Sequence, residues 1–203
     1  MTPPVLQAGP RLLIEDLSAE LLDPAAAPGM LPDNRPTPQT VQRQIVIHSG
    51  PCSGAHAGAT AYDVLNWHRR RRGWPHIGCH YFVPSAPEVR DGRLVVVQTL
   101  SPDLMGLGCP PNYGRIHIAV AGEIPTGPQR EALTLLLGHL LTAYPLRPQH
   151  ITPHREIYDR RDQPDHLRLS CPGDTLCRYV HFLQDTACAL LGTQPDKRED
   201  RTP

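Results

Sequence analysis

The chain lacks any apolar segment long enough to cross a bilayer, and it lacks net charge. No uninterrupted apolar run among its 203 residues approaches the ~20 residues that a membrane-spanning helix needs. Its 20 basic and 20 acidic residues cancel to a formal net charge of +0, so no long-range field favours a polyanion. We therefore expect neither a membrane span nor a nucleic-acid partner.

The N-terminal residues also lack the basic start and apolar stretch that mark a signal peptide. We therefore expect the chain to be made in the cytoplasm. In that compartment its 6 cysteines are expected to be thiols or metal ligands rather than disulfides. The 11 histidines point in the same direction, because imidazole and thiolate are the ligands that zinc prefers.

What is abundant is proline, with 24 residues that concentrate at the two ends and around residues 84–128. Proline interrupts helices and strands, so these parts predict irregular connections. We expect a flexible tail over residues 1–11, one domain over 12–191 and a disordered tail over 192–203. The first part of the domain, residues 12–40, is predicted to be an irregular arm.

Hydrophobic periodicity predicts an α/β domain with a central mixed β-sheet flanked by helices. The run Ile45-Val-Ile-His48 is typical of a buried central strand, because it is β-branched and stops at a Gly/Pro turn. The other predicted elements are a helix from Thr60 to about 71, a possible hairpin of 77–83 with 93–99, a strand over 115–121, a helix ending near 144, an extended segment at 150–154 and a helix over about 174–191. Alternation in the 77–83 strand would put Cys79 and Tyr81 on one face and His80 on the other.

Several segments together resemble the zinc-dependent N-acetylmuramoyl-L-alanine amidases, the type that includes peptidoglycan recognition proteins and phage lysozyme-amidases. The resemblance covers roughly residues 12–191. Its motifs are Ile45-Val-Ile-His48, residues 67–78, His80-Tyr-Phe-Val83, Ile116-His-Ile-Ala-Val-Ala-Gly122, Pro128-Gln129 before a leucine-rich helix, His154-Arg-Glu156 and Cys171-Pro-Gly173.

This resemblance implies one zinc ion in a surface groove, held by His48, His154 and Cys171. It also implies cleavage of the amide between N-acetylmuramic acid and the first L-alanine of peptidoglycan. The expected partner is peptidoglycan or a muropeptide, and the expected state is a monomer. A phage-type lysin would be released to the cell wall. No local spacing among the three residues proves the metal site, because they lie in separate segments.

The chain departs from the family pattern around this ligand set. Cys79 stands where active members usually carry a tyrosine, and His117 replaces a small glycine. Leu169 stands where a lysine or threonine is usual, and Ser49 replaces a histidine. The candidate catalytic residues are therefore Arg168, Cys79 and His117. The hydroxyl of the missing tyrosine could be replaced as a donor by Arg168, His117 or Tyr81.

Three interpretations remain open from the sequence. The chain is a working amidase, or it is a peptidoglycan-binding relative that keeps zinc but cleaves poorly, or Cys79 closes the zinc shell as a fourth, structural ligand. Trp74, His80 and Tyr81 are candidate groove residues, although each also fits a packing role. Glu156 is predicted to orient His154, and Cys177 to face away from the zinc as a small apolar residue.

Overall fold

The computed structural model describes residues 5–7, 10–21, 44–50, 54–107, 114–157 and 171–192. Its strands are β1 (Val5–Gln7), β2 (Leu12–Asp16), β3 (Gln44–Ser49), β4 (Tyr81–Val83), β5 (Val89–Arg90), β6 (Arg93–Gln98), β7 (Arg115–Val120) and β8 (Ile151–Pro153). Its helices are α1 (Ser18–Leu21), α2 (Ala61–Arg72), α3 (Gly127–Ala143) and α4 (Asp174–Leu190), with 3-10 turns at Pro148–His150 and His154–Glu156.

The described strands form one mixed sheet in the order β1-β2-β6-β4-β7-β3-β8, with β5 paired to β6. β3 lies between β7 and β8 and runs parallel to both. The β4–β6 pair is antiparallel, as the predicted hairpin requires. The predicted central mixed sheet with flanking helices is therefore confirmed.

The β-branched run of β3 explains its central place in the sheet. Ile45, Val46 and Ile47 are each 0% exposed, as expected for a strand covered on both faces. The central strand predicted from residues 45–48 thus appears as Gln44–Ser49.

Helices α2 and α3 begin where the sequence supplies a capping box. Thr60 accepts a hydrogen bond from the backbone of Asp63, and the Asp63 side chain accepts one from the backbone of Thr60. Thr126 and Gln129 make the same reciprocal pair at the start of α3. These pairs satisfy backbone N–H groups that have no partner within the helix. The predicted N-cap at Thr60 is confirmed.

The two faces of the sheet carry different side chains. One face forms the larger hydrophobic cluster, in which Ile47 of β3 and Ile118 of β7 meet leucines of α3 and Val180 of α4. The other face forms a smaller cluster with α2 and α1, which includes Phe82 and Ala119. Neighbouring residues of a strand point to opposite faces of the sheet. Ile118 of β7 therefore points to the face covered by the larger cluster, and His117 points to the face that carries the smaller cluster.

The structure differs from the sequence prediction at the N-terminal end. The predicted flexible tail over residues 1–11 contains strand β1, and the predicted irregular arm over 12–40 begins with strand β2. Strand β2 pairs in parallel with β6 along its whole length, and Ile14 is 0% exposed. The apolar residues of β2 are thus buried as part of the sheet. The rest of that arm, residues 22–40, lies outside the described residues, as do residues 193–203 of the predicted C-terminal tail.

The strand predicted over residues 77–83 is shorter than expected. Regular pairing begins at Tyr81, and residues 78–80 form a bend. The expected alternation therefore fails before Tyr81. Tyr81 packs in the larger cluster, whereas Cys79 packs in the smaller one.

Candidate metal centre

Strand register brings the first two histidines together. β3 and β8 are parallel neighbours, with Ile45 opposite Ile151 and Ile47 opposite Pro153. The next residue along the chain is a histidine in both cases, so His48, which is still within β3, lies beside His154, which directly follows β8. Their ring centroids are 4.3 Å apart. A proline directly before His154 ends β8 and starts the 3-10 turn that contains this histidine.

Cys171 reaches the same place from the segment before α4. Its carbonyl accepts a hydrogen bond from the backbone N–H of Arg155 at 2.7 Å, which ties the start of α4 to the turn that carries His154. Its Sγ lies 4.0 Å from Nδ1 of His48. The backbone N–H of Ser49 points at this sulfur from 3.3 Å. The same sulfur lies 3.6 Å from the carbonyl of Ser49, so both polar groups of the Ser49 backbone contact it.

The three side chains fit a divalent ion of the zinc class. Their ligand atoms all lie within 4.8 Å of one another, and each residue is at most 6% exposed. Two ligands that are each about 2.0–2.3 Å from a tetrahedral zinc ion lie roughly 3.5 Å apart. Small movements of the side chains would therefore suffice. Two imidazoles and one thiolate are also the donor types that zinc selects.

His117 determines which nitrogen His48 can offer. Nδ1 of His117 is 3.0 Å from Nε2 of His48, so one of these nitrogens donates and the other accepts. If Nδ1 of His48 is a metal ligand, its Nε2 must carry the proton and donate to His117. Burial, followed by the neighbouring imidazoles, holds the pKa of His117 well below its usual value. A neutral His117 can accept this bond.

His80 holds His117 in place from the other side. The backbone N–H of His117 donates to Nδ1 of His80 at 2.9 Å, and Nε2 of His80 donates to the carbonyl of Leu104 at 2.9 Å. The two rings stack with an interplanar angle of 9°. Burial lowers the pKa of His80 to about 4, so this ring stays neutral and its tautomer is fixed. The result is an ordered chain of contacts from Leu104 to His48.

The remaining candidate residues lie elsewhere, and two groove assignments need correction. His80 is 0% exposed and Tyr81 is 3% exposed, so neither lines an open groove. Tyr81 points into the larger hydrophobic cluster, where burial raises its pKa far above the usual value. The physical reason is that Tyr81 belongs to the sheet face covered by the larger cluster, and His80 is enclosed between Leu104 and His117. Trp74 is partly exposed and stacks on His68 at 4.9 Å.

Cys79 does not belong to the three-residue metal cluster found among the described residues. It is 1% exposed and packs in the smaller hydrophobic cluster with Phe82 and Ala119. Arg168, the predicted cation of the site, lies outside the described residues, as does Leu169.

Sequence reasoning missed two features. Ser49 supports the Cys171 sulfur through its backbone, and its Oγ accepts a hydrogen bond from the N–H of Gly173 at 3.2 Å. Glu156 is predicted to orient His154, but its carboxylate contacts His181 at 2.9 Å instead. The spacing of Cys177 and His181, four residues apart on α4, was the available signal, because such residues share a helix face.

Solved structures with the same fold are amidases and recognition proteins. Drosophila PGRP-LB aligns over 92% of this chain and 99% of its own, with a TM-score of 0.58 and 17% identity. The Clostridium intestinale endolysin N-acetylmuramoyl-L-alanine amidase LysCS aligns over 80% and 91%, with a TM-score of 0.55 and 19% identity. The Ph2119 endolysin of a Thermus scotoductus bacteriophage aligns over 84% and 98%, with a TM-score of 0.55 and 23% identity. Curated protein sequences give no match.

Fold and site together define an α/β protein of the amidase and peptidoglycan-recognition class. The model of the family described as N-acetylmuramoyl-L-alanine amidase matches residues 37–174. The chain belongs to this family, as its motifs indicate. Among the described residues no helix has the length and apolarity needed to cross a membrane.

Proposed function

We propose that this protein is a zinc-dependent amidase that hydrolyses the bond between N-acetylmuramic acid and L-alanine of peptidoglycan. The observation that carries the proposal is the convergence of His48, His154 and Cys171, three buried zinc-type ligands from separate segments. Three protein ligands leave a fourth position for water, which is the usual arrangement of catalytic zinc. The family match and the endolysin amidases of the same fold support the same substrate bond.

Bound zinc would lower the pKa of its water toward about 7 and polarise the carbonyl under attack. The chain's own residues then have two tasks. Nδ1 of His117, which is 3.0 Å from Nε2 of His48, would keep the proton of His48 on Nε2 and make Nδ1 the ligand nitrogen. The N–H of Ser49 stabilises negative charge on Cys171. Arg168 is proposed to stabilise the developing oxyanion. The basis for this role is that Arg168 lies close to Cys171 in the sequence.

A peptidoglycan-binding protein that cleaves poorly is the second candidate. The observation that favours it is the burial of Cys79, because a thiol that is 1% exposed in an apolar cluster cannot donate to a bound substrate. Active members of the family usually carry a tyrosine at this position, and this chain lacks that donor. One structure of the same fold is a point mutant of Drosophila PGRP-LB in complex with tracheal cytotoxin, which supports binding of wall fragments by this fold.

The two candidates differ in the products that they release from purified peptidoglycan. The purified chain is incubated with sacculi, and soluble products are identified by mass spectrometry after labelling of new amino groups. An amidase releases stem peptides with a free L-alanine amine, stops after chelation and recovers with added zinc. A binding protein sediments with sacculi and releases nothing.

Cys171→Ser is the matched control for this experiment, because it changes one ligand atom with little change in volume. It should lower release by about 100-fold or more in the first case and leave sedimentation intact in the second. Sacculi that are neither bound nor cut would contradict both candidates.

A further inference from the structure

A second group of metal-ligand side chains lies outside the candidate metal centre. Glu156, Cys177 and His181 bring a carboxylate, a thiol and an imidazole within 4.8 Å of one another. Nε2 of His181 is 2.9 Å from Oε1 of Glu156. Sγ of Cys177 is 3.5 Å from the same carboxylate oxygen and 4.0 Å from Nε2 of His181. We name this group the helix cluster.

Local structure explains why these three side chains meet. Cys177 and His181 are four residues apart on α4, so they occupy successive turns of one helix face. Glu156 ends the 3-10 turn His154–Glu156. That turn is tied to the start of α4 by the ion pair between Arg155 and Asp174 at 2.6 Å. Glu156 is therefore held against the first turns of α4.

The geometry does not suit a cysteine nucleophile activated through histidine. In such a relay the base uses one ring nitrogen for the nucleophile and the other for the orienting carboxylate. Here Cys177 and Glu156 both contact Nε2 of His181. Three ligand atoms that converge on one point are instead the arrangement that a shared cation requires.

We propose that the helix cluster is a second site for a divalent ion of the zinc class. A thiolate, an imidazole and a carboxylate are all zinc ligands, and thiolate excludes magnesium and calcium as preferred ions. Cys177 is 2% exposed, while the His181 and Glu156 side chains are 23% and 27% exposed. One side of the cluster is thus open, so an ion can enter and water can complete its coordination.

Two cationic groups already lie beside the helix cluster. The guanidinium of Arg155 is paired with Asp174, and it also forms a side-chain hydrogen bond with Cys177 and acts on the charge of Glu156. Hydrogen bonds to Cys177 and Glu156 raise the pKa of His181 to about 9. A divalent ion would therefore bind by displacing the proton of His181.

Cobalt(II) tests the proposal, because a thiolate ligand gives it a charge-transfer band in the near ultraviolet. The full chain is freed of metal with a chelator under reducing conditions and titrated with cobalt. The Cys171→Ala background is used, so that the candidate metal centre contributes no thiolate. We expect one cobalt ion per chain with a thiolate band, and loss of that band when Cys177→Ala is added.

Two further variants distinguish a loss of cobalt binding from a loss of folded structure. Glu156→Gln keeps the size of the side chain and should weaken cobalt binding by about tenfold or more. Cys188→Ala is the matched control, because Cys188 is buried on the same helix but belongs to neither metal cluster. It should leave the band unchanged, and circular dichroism checks that each variant is folded.

The proposal is overturned if the Cys171→Ala chain shows no cobalt–thiolate band. It is equally overturned if the band survives Cys177→Ala, since the thiolate would then be another cysteine. The outcome does not depend on hydrolysis: Cys177→Ala in the otherwise unchanged chain should keep any chelator-sensitive release from peptidoglycan. A failure of amidase activity and a failure of this second site are therefore distinguishable.

Discussion

The two groups of metal-ligand side chains in this protein are built in different ways. In the candidate metal centre, His48 and His154 are placed by the register of parallel strands, and Cys171 is added by the segment before α4. In the helix cluster, two of the three ligands come from one face of α4. All residues of the first are at most 6% exposed, whereas two side chains of the second are 23% and 27% exposed.

This difference teaches how each site is held. A ligand at the end of a central strand is fixed by neighbours on both sides, and His48 is also supported by the contacts through His117 and His80. Supporting contacts of this kind are worth about 10–100-fold in metal affinity or activity. The helix cluster relies on helix spacing and one turn. We therefore expect tight, slowly exchanging metal in the first and weaker, exchangeable metal in the second.

Substitution of the two cysteines in turn gives the largest expected contrast. Cys171→Ser should lower zinc affinity and peptidoglycan hydrolysis by about 100-fold or more, because it removes a direct ligand, and loss of an orienting group alone costs about 10–100-fold. Cys177→Ala should leave the rate of hydrolysis within about twofold, because its thiol lies outside the candidate metal centre. Zinc content and initial rates are measured on both variants. Equal losses in the two would break the distinction between the clusters.

Removal of the support behind His48 should have the next largest effect. His117→Phe keeps an aromatic ring but offers no acceptor to Nε2 of His48. We expect zinc affinity to fall by about 10–100-fold, while binding of cobalt at the helix cluster does not change. Competition with a chromophoric chelator measures the affinity.

His117→Asn tests whether the acceptor itself matters, because its side-chain oxygen can accept in the same direction. Partial recovery of affinity relative to His117→Phe is expected. If both variants bind zinc as tightly as the unchanged chain, His117 is a packing residue and does not orient His48.

Close packing behind the first centre is tested at Gly106. A Cβ there would lie 2.8 Å from the Gly78 carbonyl and 2.9 Å from the His117 ring. Gly106→Ala should therefore lower the free energy of unfolding by about 1–3 kcal/mol, the usual range for overpacking. Denaturant unfolding is the measurement.

Gly138 is the matched control for that substitution, because a Cβ at this position of α3 meets nothing within 4 Å. Gly138→Ala should raise the free energy of unfolding by roughly 0.5–1 kcal/mol, as alanine is favoured over glycine within helices. Unchanged stability in Gly106→Ala would mean that the histidine contacts can move apart without cost.

The smallest expected effect on the rate of hydrolysis is that of placing a tyrosine at residue 79. Cys79 is 1% exposed, so Cys79→Tyr must place a larger side chain in an apolar cluster. We expect a loss of about 1–3 kcal/mol in stability and no gain in rate, measured by unfolding and by product release. Cys79→Ala serves as the size control. A stable and faster Cys79→Tyr enzyme would show that this position opens toward the substrate.

Much of the fold was predictable because it follows from local patterns. The central strand followed from three consecutive β-branched residues, and the start of α2 followed from Thr60 before an amphipathic segment. The N-terminal strands were not predicted, because β2 obtains its hydrogen bonds from β6, which lies far away along the chain. The start of β4 was misplaced for a similar reason, since a bend at residues 78–80 interrupts an otherwise regular alternation.

By itself the sequence determined the apolar strands, the helix caps and, through its motifs, the family and the three candidate ligands. Only the tertiary structure decided that the ligand atoms meet, because Cys171 and His48 are 123 residues apart and converge through sheet register. It also decided that Glu156 turns toward His181, that Tyr81 enters the core and that His117 contacts His48. Each of these depends on which segments become neighbours, and local composition carries no information about that.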